Sequence, residues 1–163
     1  MVLHARTITH SAEETQKLGA EFGHTLLEKV SQSEIPLRGR SREQLPRLVC
    51  LWGELGSGKT TFTQGLAKGI GITNRLLSPT FIIVRRYDIP RTSKILYHMD
   101  LYRMTGSLDV AGLGVSEMLT DPNALVVIEW PERLGALLPA NRIDARFSTT
   151  EEEDAHEIQI HIL

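Results

Sequence analysis

The chain has 163 residues, 41% of them hydrophobic and 23% charged, with a formal net charge of −2 at pH 7. That length fits one domain, 1–163, with one sizeable core, and the balance of charge excludes a global basic field of the kind that drives nucleic-acid binding. Met1–His10 holds no apolar segment of a secretory signal and no apolar stretch reaches the ~18 residues of a membrane span, so a cytoplasmic protein without membrane attachment is expected.

Val2–Thr9 reads as a short edge strand. Ser11–Val30 reads as a helix, because Leu18, Phe22, Leu26 and Val30 recur on one face. Ser11 is its N-cap, and Glu14 three residues on completes a capping box. The stretch 31–47 is polar and basic, carries Arg38, Arg40, Arg42 and Arg47, and is punctuated by Pro36, Gly39 and Pro46; it reads as a flexible surface loop. Leu48–Trp52 is a continuous apolar run ending at a glycine, the pattern of a strand buried on both faces of a parallel sheet. Cys50, the only cysteine, lies inside that run and reads as a buried thiol in a reducing compartment. A second helix is expected over Lys59–Ile70, with Phe62, Leu66 and Ile70 on its inner side and Gly71 capping its end. Phe81–Tyr87 and Lys94–Leu101 read as a hairpin joined by a turn with Pro90. Leu108–Thr120 is broken by glycines into short helices, and Ala124–Ile128 is another fully apolar strand. Arg142–Phe147 and Glu157–Leu163 read as a final hairpin around the acidic turn Glu151–Asp154.

The strongest chemical signal is Gly53-Glu54-Leu55-Gly56-Ser57-Gly58-Lys59-Thr60, which fits G-x-x-x-x-G-K-[ST] between an expected strand and an expected helix. Glycines let the backbone wrap phosphate oxygens so that main-chain N–H groups point inward. The following helix presents its N-terminus, where free N–H groups and the dipole favour anions. Lys59 supplies positive charge to the β- and γ-phosphates, and the Thr60 hydroxyl is a ligand for Mg²⁺. At average residue usage the pattern arises at about one start position in 30,000, so a chance match in a chain this short is remote. ATP and Mg²⁺ are the cofactors it implies.

Such a site needs an acid at the end of a neighbouring strand to hold metal or orient water. Glu129 ends the apolar strand Ala124–Ile128, where ligand groups of open α/β sheets collect. Asp100 lies near the end of the strand Ile95–Leu101, on the same face as Leu96 and His98 by alternation. Ser78-Pro79-Thr80 carries two hydroxyls in a segment that Pro79 holds extended, as suits a switch near a γ-phosphate. His98 reads as a packed or hydrogen-bonded histidine rather than a base, and Trp130 as an aromatic that packs beside the site or stacks on a ligand.

The order of these motifs is diagnostic. Gly53 through Thr61-Phe62 is followed by Ser78-Pro79-Thr80-Phe81, then Tyr97-His98-Met99-Asp100-Leu101-Tyr102-Arg103, then Glu129-Trp130-Pro131-Glu132-Arg133. This resembles the TsaE (YjeE) family of small bacterial P-loop ATPases, over nearly the whole chain. The resemblance implies an α/β, P-loop NTPase-like three-layer fold with a mixed, mainly parallel sheet and antiparallel additions. It implies an accessory ATPase, slow alone, for formation of N6-threonylcarbamoyladenosine at position 37 of tRNA, acting on the TsaB–TsaD complex and meeting tRNA only indirectly. Lys59 and Thr60 match its phosphate and Mg²⁺ residues, Glu129 its second Mg²⁺-side acid, and Asp100 an aspartate needed for ATPase function. Ser78 and Thr80 fall in its switch-like segment, while Ala12 to Thr15 and Arg133 match regions that approach the nucleotide. Two departures stand out: the stretch 31–47 is longer than the family's usual connection, and Ser57 stands where alanine is common.

Three rival readings share the phosphate loop. A small-molecule or nucleotide kinase usually begins almost directly with the loop strand, whereas about fifty residues precede it here, and no arginine-rich lid is evident. A GTP switch would need a guanine-reading N-K-x-D, which is missing, and the D-x-x-G match at Asp109–Gly112 falls in an expected helix. A non-enzymatic nucleotide-dependent adaptor has no need of Lys59, Thr60, Asp100 and Glu129 all intact.

Overall fold

The structure, a computed structural model, describes residues 5–33, 46–73, 76, 83–106, 109–110, 112–152 and 154–163. The expected switch segment with Ser78 and Thr80, most of the 31–47 loop and the first residues of the strand expected at Phe81 lie outside the described residues.

The elements follow in the order β1 (Ala5–Thr9), α1 (Ala12–Ser33), β2 (Leu48–Trp52), α2 (Lys59–Gly69), β3 (Val84–Asp88), β4 (Ile95–Asp100), α3 (Val115–Thr120), β5 (Ala124–Glu129), a 3₁₀ segment (Pro131–Leu137), β6 (Ile143–Thr149) and β7 (His156–Ile162). Among the described residues the strands form one sheet in the order β1-β7-β6-β2-β5-β4-β3. The centre is parallel, β2 pairing with β5 and β6, and β4 with β5. Antiparallel additions lie at both edges: β3 on β4, and β7 between β6 and β1. The two apolar runs behave as their composition demands, since all six residues of β5 are buried and β2 is buried through Leu51.

Alternation along these strands feeds two cores. Val49, Leu51, Leu96, Leu125 and Val127 pack with Phe22, Leu26, Phe62 and Leu66 of the two long helices. Leu48, Cys50, Met99, Val126 and Ile128 face the other way, onto Val115 and Leu134. The sheet is therefore the middle of three layers. Glu129 and Asp100 stand in register at the carboxyl ends of β5 and β4, where alternation turns both toward the α1/α2 face.

The helix ends carry the expected chemistry with one change. Ser11 Oγ accepts the Glu14 N–H at 3.1 Å, but the Glu14 carboxylate takes the amide of His10 (2.7 Å), one residue before the usual capping-box donor. Gly71, in the left-handed region, closes α2: its N–H donates to Lys68 O, and that of Ile72 to Ala67 O.

Helices α1 and α2 touch through their backbones. A Cβ at Gly65 would lie 2.0 Å from Gln16 O, one at Gly69 2.0 Å from Ala20 O, one at Gly19 2.2 Å from Phe62 O and one at Gly23 2.4 Å from Leu66 O. Both helices thus present small-x-x-x-small pairs, Gly19/Gly23 and Gly65/Gly69, which admit a crossing too close for any side chain. This crossing fixes the start of α1 against the loop before α2.

Candidate functional site

The loop between Trp52 and Lys59 turns sharply enough to need glycine at its two ends. Gly53 has φ +144° and a Cβ there would strike Phe147 O at 2.5 Å; Gly58, at φ +97°, is the N-cap of α2. No side chain caps that helix end, so the first-turn N–H groups stay directed into the loop, the arrangement that binds anions.

Lys59 opens α2 and is 4% exposed. Its ammonium donates to Gly53 O (2.6 Å), Glu54 O (2.7 Å) and Ser57 Oγ (3.4 Å), and lies 4.5 Å from the centre of the Trp130 ring. Burial lowers its pKa below the usual lysine value, while the charges of Glu129, Asp100, Glu132 and Glu54 oppose that fall. Trp130 holds its position through a left-handed backbone (φ 62°) immediately before Pro131, and its ring meets that of Tyr102 at 5.1 Å.

The neighbouring residue on α2 makes the second half of the site. Thr60 Oγ donates to both oxygens of Glu129, at 2.9 and 3.1 Å. Glu129 is 3% exposed and its Oε1 also lies 2.8 Å from His98 Nε2. Asp100, buried beside it in register, accepts the Tyr102 N–H at 3.0 Å. A third wall comes from the chain's start, where Thr15 Oγ1 is 2.8 Å from Thr9 Oγ1 and donates to Ser11 O.

These groups surround a cleft of about 570 Å³. Of the residues expected from sequence, Ala12, Thr15, Leu55, Gly56, Ser57, Gly58, Lys59, Thr60, Thr61, Asp100 and Glu129 line it. Gly53 and Glu54 contribute through their carbonyls, which hold Lys59. Arg133 sits in the 3₁₀ segment and is not among the lining residues; its Nε is buried without a hydrogen-bond partner among the described residues. Sequence reasoning missed His10, Tyr102, Asp154 and His156, all of which line the cleft. Tyr102 falls inside a quoted motif, but Asp154 and His156 arrive from the last hairpin and carry no local signal.

A parallel sheet whose carboxyl edge carries a glycine loop feeding a helix, with acids at the ends of adjacent strands, defines a P-loop-like α/β protein. A family model described as threonylcarbamoyl adenosine biosynthesis protein TsaE matches residues 9–158. The chain belongs to the TsaE family, as the order of its motifs implied. A Synechocystis sp. protein described as tRNA threonylcarbamoyladenosine biosynthesis protein TsaE is 44% identical over 101 residues, 58% of this chain and 62% of that protein, less than two thirds of its length. A Treponema pallidum protein of the same description is 36% identical over 134 residues, 82% of this chain and 84% of that one. The crystal structure of Bacillus subtilis YdiB superposes with a TM-score of 0.69 at 28% identity, over 99% of this chain and 87% of the other. No helix among the described residues is long and apolar enough to cross a membrane.

Proposed function

We propose that the chain is a Mg²⁺-dependent ATP hydrolase that serves formation of N6-threonylcarbamoyladenosine at position 37 of tRNA, acting on the TsaB–TsaD complex and not on tRNA directly. Family membership supports the pathway. The observation that carries the hydrolase reading is the convergence of the glycine loop, Lys59 and the Thr60–Glu129 pair on one cleft, with Asp100 beside Glu129 in register.

The donor set fits Mg²⁺. Thr60, Glu129 and Asp100 offer hard oxygen ligands only, and the described residues hold no full cage of three His, Cys, Asp or Glu groups. Mg²⁺ characteristically takes one or two carboxylates from protein and completes its shell with phosphates and water. Held by Thr60 and Glu129 or Asp100, the ion would supply positive charge to the phosphate chain. Because Thr60 donates its proton to Glu129, its oxygen lone pairs are left as acceptors for a cation.

The protein's own groups then divide the work. The loop and first-turn N–H groups bind phosphate oxygens. Lys59 exchanges the carbonyls of Gly53 and Glu54 for phosphate oxygens and neutralises charge as it develops on the γ-phosphoryl group. Asp100 or Glu129 orients the water that attacks the γ-phosphorus, and ADP departs. No arginine lines the cleft among the described residues, while Leu55 is 75% and Tyr102 42% exposed at the cleft. That open rim supports a partner completing the site. The test is phosphate release from ATP by the purified chain, with Mg²⁺ or EDTA, alone and with the TsaB–TsaD pair. Faster Mg²⁺-dependent release with the pair is expected. Equal rates refute partner activation; no release refutes the hydrolase; a phosphorylated small molecule in place of free phosphate favours the kinase.

A further inference from the structure

We propose that His98 is a positioning residue that locks the Glu129 carboxylate and thereby sets the Mg²⁺ dependence of the site. This rests on the Mg²⁺-dependent hydrolysis proposed above.

His98 is fully buried on β4, two residues before Asp100 and on the same face of the sheet. It stands opposite Val127 of β5, so Glu129 is its diagonal neighbour, within reach of a long side chain. Its Nε2 lies 2.8 Å from Glu129 Oε1. The proposal requires the tautomer in which Nε2 carries the proton and donates to that oxygen. The other ring nitrogen, Nδ1, is buried with no hydrogen-bond partner among the described residues. Among the described residues the ring's one polar contact is to the acid of the site.

The consequence for Glu129 is geometric. Its only other side-chain partner among the described residues is the Thr60 hydroxyl, shared between both oxygens. A carboxylate tethered by one rotatable hydroxyl turns about its terminal bond. The imidazole N–H removes that freedom, places two donors on Oε1 and, among the described residues, leaves Oε2 with Thr60 alone. Outer partners that orient a metal-ligating group in this way typically change cation affinity by about 10–100-fold.

The test compares the full chain with His98→Leu, which fills the space without a donor, and His98→Gln, whose amide N–H reaches toward the same oxygen. Calorimetry gives nucleotide affinity in EDTA and its enhancement by Mg²⁺; phosphate release gives the half-saturating Mg²⁺ concentration; thermal unfolding gives Tm. His98→Leu is expected to raise the half-saturating Mg²⁺ concentration about tenfold and to weaken the Mg²⁺ enhancement of binding, with EDTA affinity and Tm unchanged. His98→Gln is expected to recover most of the loss. Unaltered Mg²⁺ dependence in His98→Leu, or equal losses in both variants that follow Tm, overturns the proposal. Should His98→Leu fail to fold, nitrogen NMR of the ¹⁵N-labelled wild-type protein reads the tautomer: a protonated Nε2 is required, and a neutral ring protonated at Nδ1 overturns the proposal. A wild-type chain that binds no Mg²⁺-ATP refutes the hydrolase itself, whereas wild-type hydrolysis beside an indifferent His98→Leu refutes only the positioning role of His98.

Discussion

Replacing Gly65 by alanine tests the helix crossing that places the site. The new Cβ would lie 2.0 Å from Gln16 O, 2.7 Å from Gln16 C and 2.8 Å from Gln16 Cα, where contacts under 3.0 Å are essentially never seen. All three atoms are backbone of α1, so no side-chain rotation relieves the clash and the two helices must part by about 1 Å. A gap of that size forfeits roughly a quarter to a half of the attraction across the interface. Overpacking of this kind costs about 1–3 kcal/mol, and an immovable backbone neighbour places Gly65→Ala at the upper end. Alanine returns about 1 kcal/mol of helix propensity, which leaves a net loss of about 2 kcal/mol. Urea unfolding followed by far-ultraviolet circular dichroism should show a lower midpoint with the same slope. Gln16 follows Thr15 of the cleft wall, so nucleotide affinity should fall as well. Gly106→Ala is the control: a Cβ there meets nothing within 4 Å, and its effect should stay within about 0.5 kcal/mol. A Gly65→Ala protein as stable as the parent, or more so, would refute the close crossing.

Lys59→Ala should lower ATP hydrolysis by about 10²–10³-fold, the scale of losing one donor aimed at developing charge. Its Tm should change little, because the bonds lost to Gly53 and Glu54 are offset by removal of a buried ammonium; phosphate release and thermal unfolding decide, and retained turnover removes the loop from the mechanism. Glu129→Gln keeps the shape but not the charge, so Mg²⁺-dependent hydrolysis should fall by about 10²-fold with the fold retained; a change in Tm alone would make Glu129 structural. The Cys50 thiol is pushed up from 9.0 to about 12, chiefly by burial and further by Asp144. Folding therefore favours the protonated thiol: its contribution is intact below pH ~9 and lost as the pH rises toward about 12, so stability should decline over that window. The folded protein should leave a disulfide reagent unreacted at pH 8, with reaction only after unfolding; rapid reaction when folded refutes burial.

What was legible in the sequence is what local chemistry dictates. The glycine–lysine–threonine pattern between an apolar run and an amphipathic segment could only be a strand–loop–helix, and β2 has the limits its composition sets, Leu48–Trp52. Alternation placed His98 and Asp100 on one face, and the end of an apolar strand marked Glu129. Contacts between distant elements were not legible. Gly19, Gly23, Gly65 and Gly69 read singly as weak helix formers, and only the crossing shows why each tolerates no Cβ. The insertion of β6 beside β2, which brings the last hairpin with Asp154 and His156 to the cleft, leaves no periodic trace. The partnership of His98 with Glu129 needed the strand register, since alternation names a face and not a neighbour.

The loop satisfies its own lysine, and on the hydrolase reading proposed above that shapes what the cleft binds. The Lys59 ammonium is neither free nor solvated: two carbonyls hold it at 2.6 and 2.7 Å and the Trp130 ring lies beside it. Binding a phosphate chain is thus an exchange in which charge-assisted bonds worth about 1.5–3 kcal/mol each are broken and remade. A single phosphate that reached only the loop N–H groups would leave Lys59 where it is and gain nothing from its charge. On the proposed reading, a polyphosphate that reaches both the loop N–H groups and the Lys59 ammonium replaces both carbonyls at once and would bring its cation to the Thr60–Glu129 pair. The proposed preference for a metal-bound triphosphate over shorter anions would therefore arise from the existing bonds of Lys59 rather than from the size of the cleft.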